Sequence, residues 1–289
     1  MRGRAVPRGS GVLALLLLAG CASAPPRGGQ RYAQAQDGAP AGVPPDVAAI
    51  PLPVPRPEPL SRYGNRSSYQ VDGRTYHVLP SAAGYDVRGI ASWYGTKFQG
   101  YLTSSLEPYD MYKFTAASKV LPIPSYARVT NLENGRCVIV RVNDRGPFVA
   151  NRIIDLSYVA AIRLGIQQAG TGLVRVQGID ANDPASVRAL RCGGAGAATA
   201  GAAAGHGHPL IYLQVGAFLE QANAERVLAR LRDGGLDNAT ISATDVRGQR
   251  FWRVRLGPLP DAAAADALAP RVQALGLPPP QVSIDMRTP

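Results

Sequence analysis

Two low-complexity tracts divide this chain and limit where it can bury a core. Prolines are densest between residues 22 and 66, and a Gly/Ala tract fills residues 193–205. The first composition predicts an extended, polyproline-like tether and the second a flexible linker. The 289 residues therefore have room for two modest folded units, one on each side of the Gly/Ala tract.

The unit before the Gly/Ala tract consists of short, strand-like segments separated by turns. Residues 69–79 predict a hairpin with its turn at Asp72-Gly73. Further strands are predicted at residues 88–95, 127–132, 137–142 and 172–179, and one helix is predicted from Ser157 to Gly165. Many short strands with frequent turns are typical of a small β-barrel.

The unit after the tract alternates strands with amphipathic helices. Strands are predicted at residues 210–218, 239–245, 250–256 and 281–284, with helices at 221–232 and 261–275. The order βαββαβ predicts a ferredoxin-like unit whose helices cover one face of the sheet. The other face stays open and is a candidate binding surface.

The strand predicted from residue 137 ends abruptly in charged and turn-forming residues. Val138, Val140 and Val142 share one face because side chains alternate along a strand. Asp144 follows at the point where Gly146-Pro147 breaks the ladder. From these residues alone, Asp144 is either an acid catalyst on a rigid turn or an ordinary turn residue paired with Arg145.

The N-terminus has the pattern of a secretory signal. Arg2, Arg4 and Arg8 precede an apolar run at residues 11–18 that is too short to span a bilayer. The following Leu-Ala-Gly-Cys21 resembles the lipobox of bacterial lipoproteins, which implies cleavage before Cys21 and its acylation; a Cys after an ordinary signal is the alternative. The Ala at position 22 favours sorting to the outer membrane, where acyl chains would anchor the protein.

A net charge of +11 favours an anionic partner such as a cell-wall polymer or anionic lipid. Nucleic acid is disfavoured, because a secreted lipoprotein does not meet it. No metal or cofactor is predicted, since the three histidines show no ligand spacing. Cys137 and Cys192 either form a disulfide in an oxidising compartment or remain separate thiols.

Six motifs follow one another between residues 89 and 179: GIASWYG (89–95), YDMY (109–112), LP (121–122), VTN (129–131), NDRGPF (143–148) and IDLS (154–157). Together they resemble the double-psi β-barrel domain of the rare lipoprotein A family of bacterial murein enzymes. The segments 213–218 and 251–258 resemble the sporulation-related (SPOR) repeat. The resemblance implies a two-domain β plus α/β protein, a double-psi β-barrel followed by a ferredoxin-like βαββαβ SPOR domain, joined by flexible linkers.

The expected domain limits follow from these segments. They are a signal peptide at 1–20, a tether at 21–66, the barrel at 67–180, a linker at 181–208 and the SPOR domain at 209–287.

The resemblance implies an enzyme, a lytic transglycosylase that cleaves MurNAc–GlcNAc linkages of peptidoglycan and leaves 1,6-anhydro-MurNAc ends. Such chemistry needs one acid for the glycosidic oxygen, because the C6 hydroxyl of the substrate is the nucleophile. Asp144 occupies the catalytic position of the family and Glu107 its second acidic position, while Asp155 is expected to be structural.

The chain departs from the family at three points. Gln99 and Ser118 stand where the family usually has His, and Ser105-Leu106 replaces the usual Asn-Gly. An imidazole that is missing near Asp144 removes a proton donor or an orienting partner. The alternative function is therefore a catalytically weak or inactive, expansin-like lipoprotein that only binds glycan.

Candidate glycan-binding residues lie on the open face of the SPOR sheet. They are Gln214, Phe251, Arg253 and Arg255, which combine an aromatic ring with amide and guanidinium groups. The alternative is that Phe251 packs in the core and the arginines are merely solvated.

The resemblance implies binding to peptide-stripped (denuded) strands, a periplasmic location at the outer membrane and division septum, and division-site protein partners.

Overall fold

The computed structural model describes residues 33–192 and 209–286. The predicted signal peptide and the lipidation site at Cys21 lie outside the described residues, as does the Gly/Ala tract. Within the described part of the chain, none of the helices has the length and apolar character needed to cross a membrane.

The first unit is a closed six-stranded barrel, as predicted. Its strands lie in the order β3-β7-β4-β6-β5-β8. The pairs β3–β7 and β4–β6 are parallel and the other pairs are antiparallel. The strands are β3 (Asp86–Tyr94), β4 (Thr115–Ser118), β5 (Ser125–Asn131), β6 (Cys137–Asp144), β7 (Arg152–Ser157) and β8 (Thr171–Ile179). Of these, β4 and β7 were not predicted from the sequence.

The barrel interior is filled by aliphatic side chains that alternate along these strands. Val138, Val140 and Val142 are fully buried, which confirms the face predicted for β6. Helix α1 (Tyr158–Leu164) follows β7 directly and ends at Gly165, whose φ of 76° is left-handed, as the predicted C-cap requires. Ser157 precedes the helix as predicted, but its hydroxyl accepts a bond from the backbone of Thr115 rather than capping the helix.

The predicted hairpin precedes the barrel. Strands β1 (Ser68–Val71) and β2 (Arg74–His77) pair across a turn in which Asp72 and Gly73 both have positive φ.

The second unit is an antiparallel sheet in the order β10-β11-β9-β12. Its elements are β9 (Pro209–Phe218), α3 (Gln221–Asp233), β10 (Ala239–Val246), β11 (Gln249–Leu259), α4 (Ala262–Ala274) and β12 (Gln281–Met286). Leu213, Val254 and Leu256 are buried in the cluster that includes residues of both helices, and the βαββαβ prediction is confirmed.

Residues 33–66 contain no helix or strand, in agreement with an extended segment, yet they pack along the barrel. Asp37 accepts hydrogen bonds from the backbone of Gly95 and Lys97. Glu58 forms a two-pronged ion pair with Arg141. We refer to residues 33–66 as the N-terminal strap.

The chain after β8 also stays on the barrel. Helix α2 (Pro184–Ala189) is capped by the side chain of Asp183, and neighbouring apolar residues pack against Tyr126 and Ile139. Cys137 and Cys192 form a disulfide with their Cα atoms 5.8 Å apart, so the bridged alternative is the correct one. The domain limits proposed from the sequence stay a prediction.

The two folded units contact each other. Ile90 of β3 and Leu173 of β8 belong to the same apolar cluster as the SPOR-like sheet. Strand β3 lies beside the edge strand β12. Beside this seam the buried Arg152 forms a bidentate ion pair with Asp266 of α4.

Candidate active site

A cavity of about 820 Å³ opens at one end of the barrel. Asp72 of the hairpin turn lines it, and so do two carboxylates of the barrel strands, Asp144 of β6 and Asp155 of β7. Ala117 of β4 lies between them, because it pairs with Asp144 on one side and with Asp155 on the other. Two interstrand spacings place the Cα atoms of the two acids about 10 Å apart.

The carboxyl group of Asp144 is fixed through one of its oxygens. Oδ1 accepts hydrogen bonds from the backbone N of Ser104 at 2.8 Å, from its Oγ at 2.6 Å and from the backbone N of Arg145 at 2.7 Å. No described residue donates a hydrogen bond to Oδ2. Asp144 thus has one anchored oxygen and one that is available to a molecule in the cavity.

Arg145 does not form the ion pair that the turn interpretation of Asp144 requires. Its guanidinium donates instead to the carbonyls of Gly64 and Ser118 at 2.8 and 2.9 Å and to Asn65 Oδ1 at 3.1 Å. Arg145 therefore fastens the end of the N-terminal strap to strand β4. Its contact with Asp144 is made by the backbone N–H alone.

Glu107 lies at the end of the loop that holds Asp144. Its Oε2 accepts hydrogen bonds from Arg141 at 2.7 Å and from Asn143 at 3.0 Å. Burial opposes ionisation of this carboxyl group, but the bonds from Arg141 and Asn143 outweigh it and lower the pKa of Glu107. Glu107 does not line the cavity, and its position is that of an ionised anchor for the loop.

The loop from Thr103 to Glu107 is closed by two backbone hydrogen bonds, Thr103 N to Glu107 O at 2.8 Å and Leu106 N to Thr103 O at 2.9 Å. It presents Ser104 to Asp144. Closure places Leu106 at φ 65°, a left-handed conformation that favours glycine. The Gly that the family usually has at this position is therefore the residue that the backbone geometry suits.

We expect Leu106→Gly to raise the free energy of unfolding by about 0.5–1 kcal/mol, because it removes left-handed strain while sacrificing little burial. Leu106 is 48% exposed. Urea unfolding followed by circular dichroism measures the change. Leu102→Gly is the matched control, since Leu102 is exposed directly before the same loop and does not have positive φ. It should lower stability, and a similar loss for Leu106→Gly would contradict the argument.

Asp155, expected from the sequence to be structural, lies in the same cavity as Asp144. It accepts a hydrogen bond from Ser92 Oγ, on the neighbouring strand β3. Burial raises the pKa of Asp155 to about 6, against the hydrogen bond from Ser92 and the positive charges of Arg152 and Lys119. A carboxyl group that is partly protonated near neutral pH and lines a cavity can donate a proton.

Aromatic rings surround the two acids. Tyr94 lines the cavity and is buried; burial, together with the nearby Tyr109, Asp144 and Asp155, raises its pKa well above the ordinary value. At the rim, Tyr69 and Phe148 pack edge to face at 6.3 Å and both contact Tyr76 of the hairpin. Partly exposed rings at a cavity rim suit the apolar face of a sugar.

Neither residue at the missing His positions replaces an imidazole. The hydroxyl of Ser118 is buried and accepts hydrogen bonds from the backbone of Val120 and Leu121 at 3.3 and 3.1 Å. Gln99 Oε1 accepts a bond from the backbone of Met111 at 2.8 Å. Both side chains support the backbone, and neither lines the cavity.

The four candidate glycan-binding residues lie together on the C-terminal sheet. Arg255 stacks over the ring of Tyr212 at 4.4 Å and donates to Asp285 at 2.6 Å. Trp252 packs against the apolar cluster beneath the helices, whereas Phe251 is not part of that cluster. Gln214 and Arg253 line a second, polar cavity at the barrel. Phe251 therefore lies on the face of the sheet opposite the helices, as the alternation of side chains predicted.

Two family models match the chain in separate segments. Residues 86–177 match the model described as lytic transglycolase, and residues 207–282 match the SPOR domain. These segments coincide with the barrel and the C-terminal sheet.

Curated relatives match long stretches of the chain. The chain is 38% identical to the endolytic peptidoglycan transglycosylase RlpA of Pseudomonas aeruginosa over 302 residues, which cover 86% of this chain and 88% of the relative. It is 48% identical to the protein of the same name from Vibrio cholerae over 177 residues, which cover 61% of this chain and 65% of that relative.

Among solved structures, the crystal structure of the RlpA SPOR domain from Pseudomonas aeruginosa is 32% identical, with a TM-score of 0.24, and the match covers 25% of this chain and 96% of that one. The sequence matches along nearly the whole length of the Pseudomonas relative, together with the two family models in the same order, decide the assignment. The chain belongs to the rare lipoprotein A (RlpA) family.

Proposed function

We propose that the protein is a peptidoglycan lytic transglycosylase that acts on glycan strands within the barrel cavity. The observation that carries this proposal is the pair of acids, Asp144 and Asp155, on either side of Ala117 in one cavity with an aromatic rim. The relatives from Pseudomonas aeruginosa and Vibrio cholerae, named endolytic peptidoglycan transglycosylases, support the same activity.

The two acids divide the proton transfers. Asp155 donates its proton to the glycosidic oxygen while the bond between that oxygen and C1 of MurNAc breaks. The C6 hydroxyl oxygen of the same sugar bonds to C1, and Asp144 accepts the hydroxyl proton through Oδ2. The products are a 1,6-anhydro-MurNAc end and a free GlcNAc hydroxyl, and no water is consumed. Proton exchange with solvent restores both acids.

Glu107 is part of this site as an anchor. Through Arg141 and Asn143 it holds the loop whose Ser104 donates twice to Asp144. Glu58 of the N-terminal strap binds the other side of the same guanidinium, so the strap supports the loop as well. Catalytic geometry depends on such supporting contacts, because small displacements of a reacting group cost rate.

The C-terminal sheet supplies the second half of the function. Phe251, Arg253 and Gln214 offer a ring, a positive charge and an amide on one surface. A strand stripped of its peptides exposes sugar faces and lactyl carboxylates, which such a surface fits. We therefore include denuded strands as the preferred substrate and the division septum as the site of action. Acylation at Cys21 would anchor the protein to the outer membrane, next to division-site partners.

The second candidate function is a glycan-binding protein without cleavage. It is favoured by the side chains at the missing His positions, since Ser118 and Gln99 are both engaged with backbone N–H groups. The aromatic rim and the C-terminal sheet would serve such a protein equally well.

The product of the reaction separates the two functions. We expect the purified full chain, incubated with amidase-treated sacculi, to release fragments that end in 1,6-anhydro-MurNAc, detected by mass spectrometry. Reducing MurNAc ends would indicate hydrolysis instead. If the sacculi bind the protein in co-sedimentation and no anhydro ends form at any pH between 4.5 and 8, the protein is the glycan-binding one.

A further inference from the structure

A polar cleft of about 560 Å³ lies where the barrel meets the C-terminal sheet. The barrel contributes Arg88 from β3 and Arg175 from β8, and the sheet contributes Arg253 from β11 and Gln214 from β9. Three guanidinium groups from two folded units thus line one space. The edge strand β12 adds the polar side chains Gln281 and Ser283.

The charges in this cleft are only partly compensated. Asp86 forms a bidentate ion pair with Arg175, whose hydrogen bond is the main cause of the lowered pKa of Asp86; the charge of Arg88 lowers it as well. Neither Arg88 nor Arg253 has an ion pair with any described residue. With one carboxylate, Asp86, for three guanidinium groups, the lining of the cleft keeps an excess of positive charge that favours an anion.

The arrangement of the two units is held by contacts outside the cleft. The buried Arg152 of the barrel pairs with Asp266 of α4, and Ile90 and Leu173 pack into the apolar cluster of the second unit. Removing a partner from a buried, bidentate pair is costly, because it leaves an uncompensated charge. The cleft is therefore a feature of the whole chain that neither unit has by itself.

We propose that this cleft binds a carboxylate-bearing segment of a glycan strand, so that Arg88 of the barrel is part of the glycan-binding surface of the C-terminal sheet. The inference rests on the proposed function, because it takes the ligand to be peptide-stripped peptidoglycan. The lactyl carboxylate of each MurNAc is the anion that lies between Arg88 and Arg253. Gln214, Gln281 and Ser283 offer hydrogen bonds to the amide and hydroxyl groups of the adjacent sugars.

This surface gives the barrel a role in recognition as well as in cleavage. A glycan chain held in the cleft contacts Arg88 of β3. Strand β3 then continues to Tyr94, which lines the catalytic cavity. Six residues of extended backbone separate the two positions, which corresponds to about 20 Å. The sheet thus holds the polymer within reach of the acids.

The inference is tested by the binding of two probes to the full chain. All variants carry Asp144→Asn, so that the glycan strand is not cut. One probe is denuded glycan strands from amidase-treated sacculi, and the other is a neutral chitin oligosaccharide. We expect Arg88→Ala to weaken binding of the denuded strands about tenfold and to leave chitin binding unchanged, because only the first probe carries carboxylates. Arg88→Lys should restore most of the affinity. Arg136→Ala, an exposed arginine that lines neither cavity, is the matched control.

A double-mutant cycle tests whether Arg88 acts through the interdomain cleft. Asp266→Arg places two like charges at the seam and is expected to separate the units, with the same loss of affinity as Arg88→Ala. The two changes combined should cost no more than either alone. Additive losses would overturn the proposal, and so would an Arg88→Ala variant that binds denuded strands like wild type. If Arg88→Ala has no effect but Arg253→Ala weakens binding, the proposed function survives and only the role of the cleft is wrong. If wild type binds no glycan, both the cleft and the proposed function fail.

Discussion

Replacement of Asp144 by Asn is expected to lower kcat/KM for release of anhydro ends by about 10²- to 10⁴-fold, the usual contribution of a general acid or base. Asn keeps the size of the side chain and can still accept the bonds from Ser104 and Arg145 at its carbonyl oxygen. It replaces Oδ2 with an NH₂ group, which cannot accept the proton of the C6 hydroxyl. Fragment release from denuded strands, quantified by chromatography, measures the effect.

The control is Asp72→Asn. Asp72 lines the same cavity, but it lies in the exposed turn of the hairpin at φ 49°, a conformation that Asn tolerates. Its replacement makes the same chemical change at the rim and should alter kcat/KM less than about threefold. Equal losses in the two variants would mean that the overall negative charge of the cavity, and not a proton transfer at Asp144, is what matters.

The activity is expected to fall as pH rises above about 6, because Asp155 must be protonated to act as the donor. Its pKa of about 6 arises from burial in the barrel wall. In the wild type, kcat/KM should drop about tenfold for each pH unit above that value. Asp155→Asn should lower the maximum by about 10²-fold or more and leave a profile without this descending limb. Measurement of kcat/KM from pH 4.5 to 8 gives both results.

The pH dependence of the free energy of unfolding is a second test of the raised pKa of Asp155. A carboxyl group whose pKa is raised by folding stabilises the protein while it is protonated, and this contribution is lost as pH rises through the folded-state value. The free energy of unfolding of wild type should therefore decrease, relative to Asp155→Asn, between about pH 4 and pH 6. If that difference appears while Asp155→Asn keeps the descending limb of activity, Asp155 is a structural acid and the donor is another group.

The sequence was informative wherever structure depends on local pattern. Period-two alternation located β6 and the four strands of the C-terminal sheet, and left-handed Gly165 ended α1 where a helix stop was expected. Strand β4 was not predicted because its residues are buried on both faces and show no alternation. Thr115–Ser118 is buried at every position. Only pairing with strands distant in sequence identifies such a segment as a strand.

The candidate site was predictable only in part for the same reason. Motif resemblance pointed to Asp144, but its partner Ser104 is 40 residues earlier. The position of Asp155 near Asp144 could not be predicted, because it depends on Ala117, which pairs with both acids across β4. For the N-terminal strap, the secondary structure could be predicted but the contacts could not. Its proline-rich composition predicted the absence of helices and strands, whereas its contacts through Asp37 and Glu58 could not be inferred from composition.

The disulfide has a consequence for steric clearance. Cys137 is the first residue of β6 and Asp144 is the last, so the bridge to Cys192 holds the departing chain at the opposite end of that strand. Seven residues of strand correspond to about 23 Å. The segment that connects the two units therefore starts on the far side of the barrel from the acids. A polymer can enter and leave the cavity without crossing the point where that connection begins.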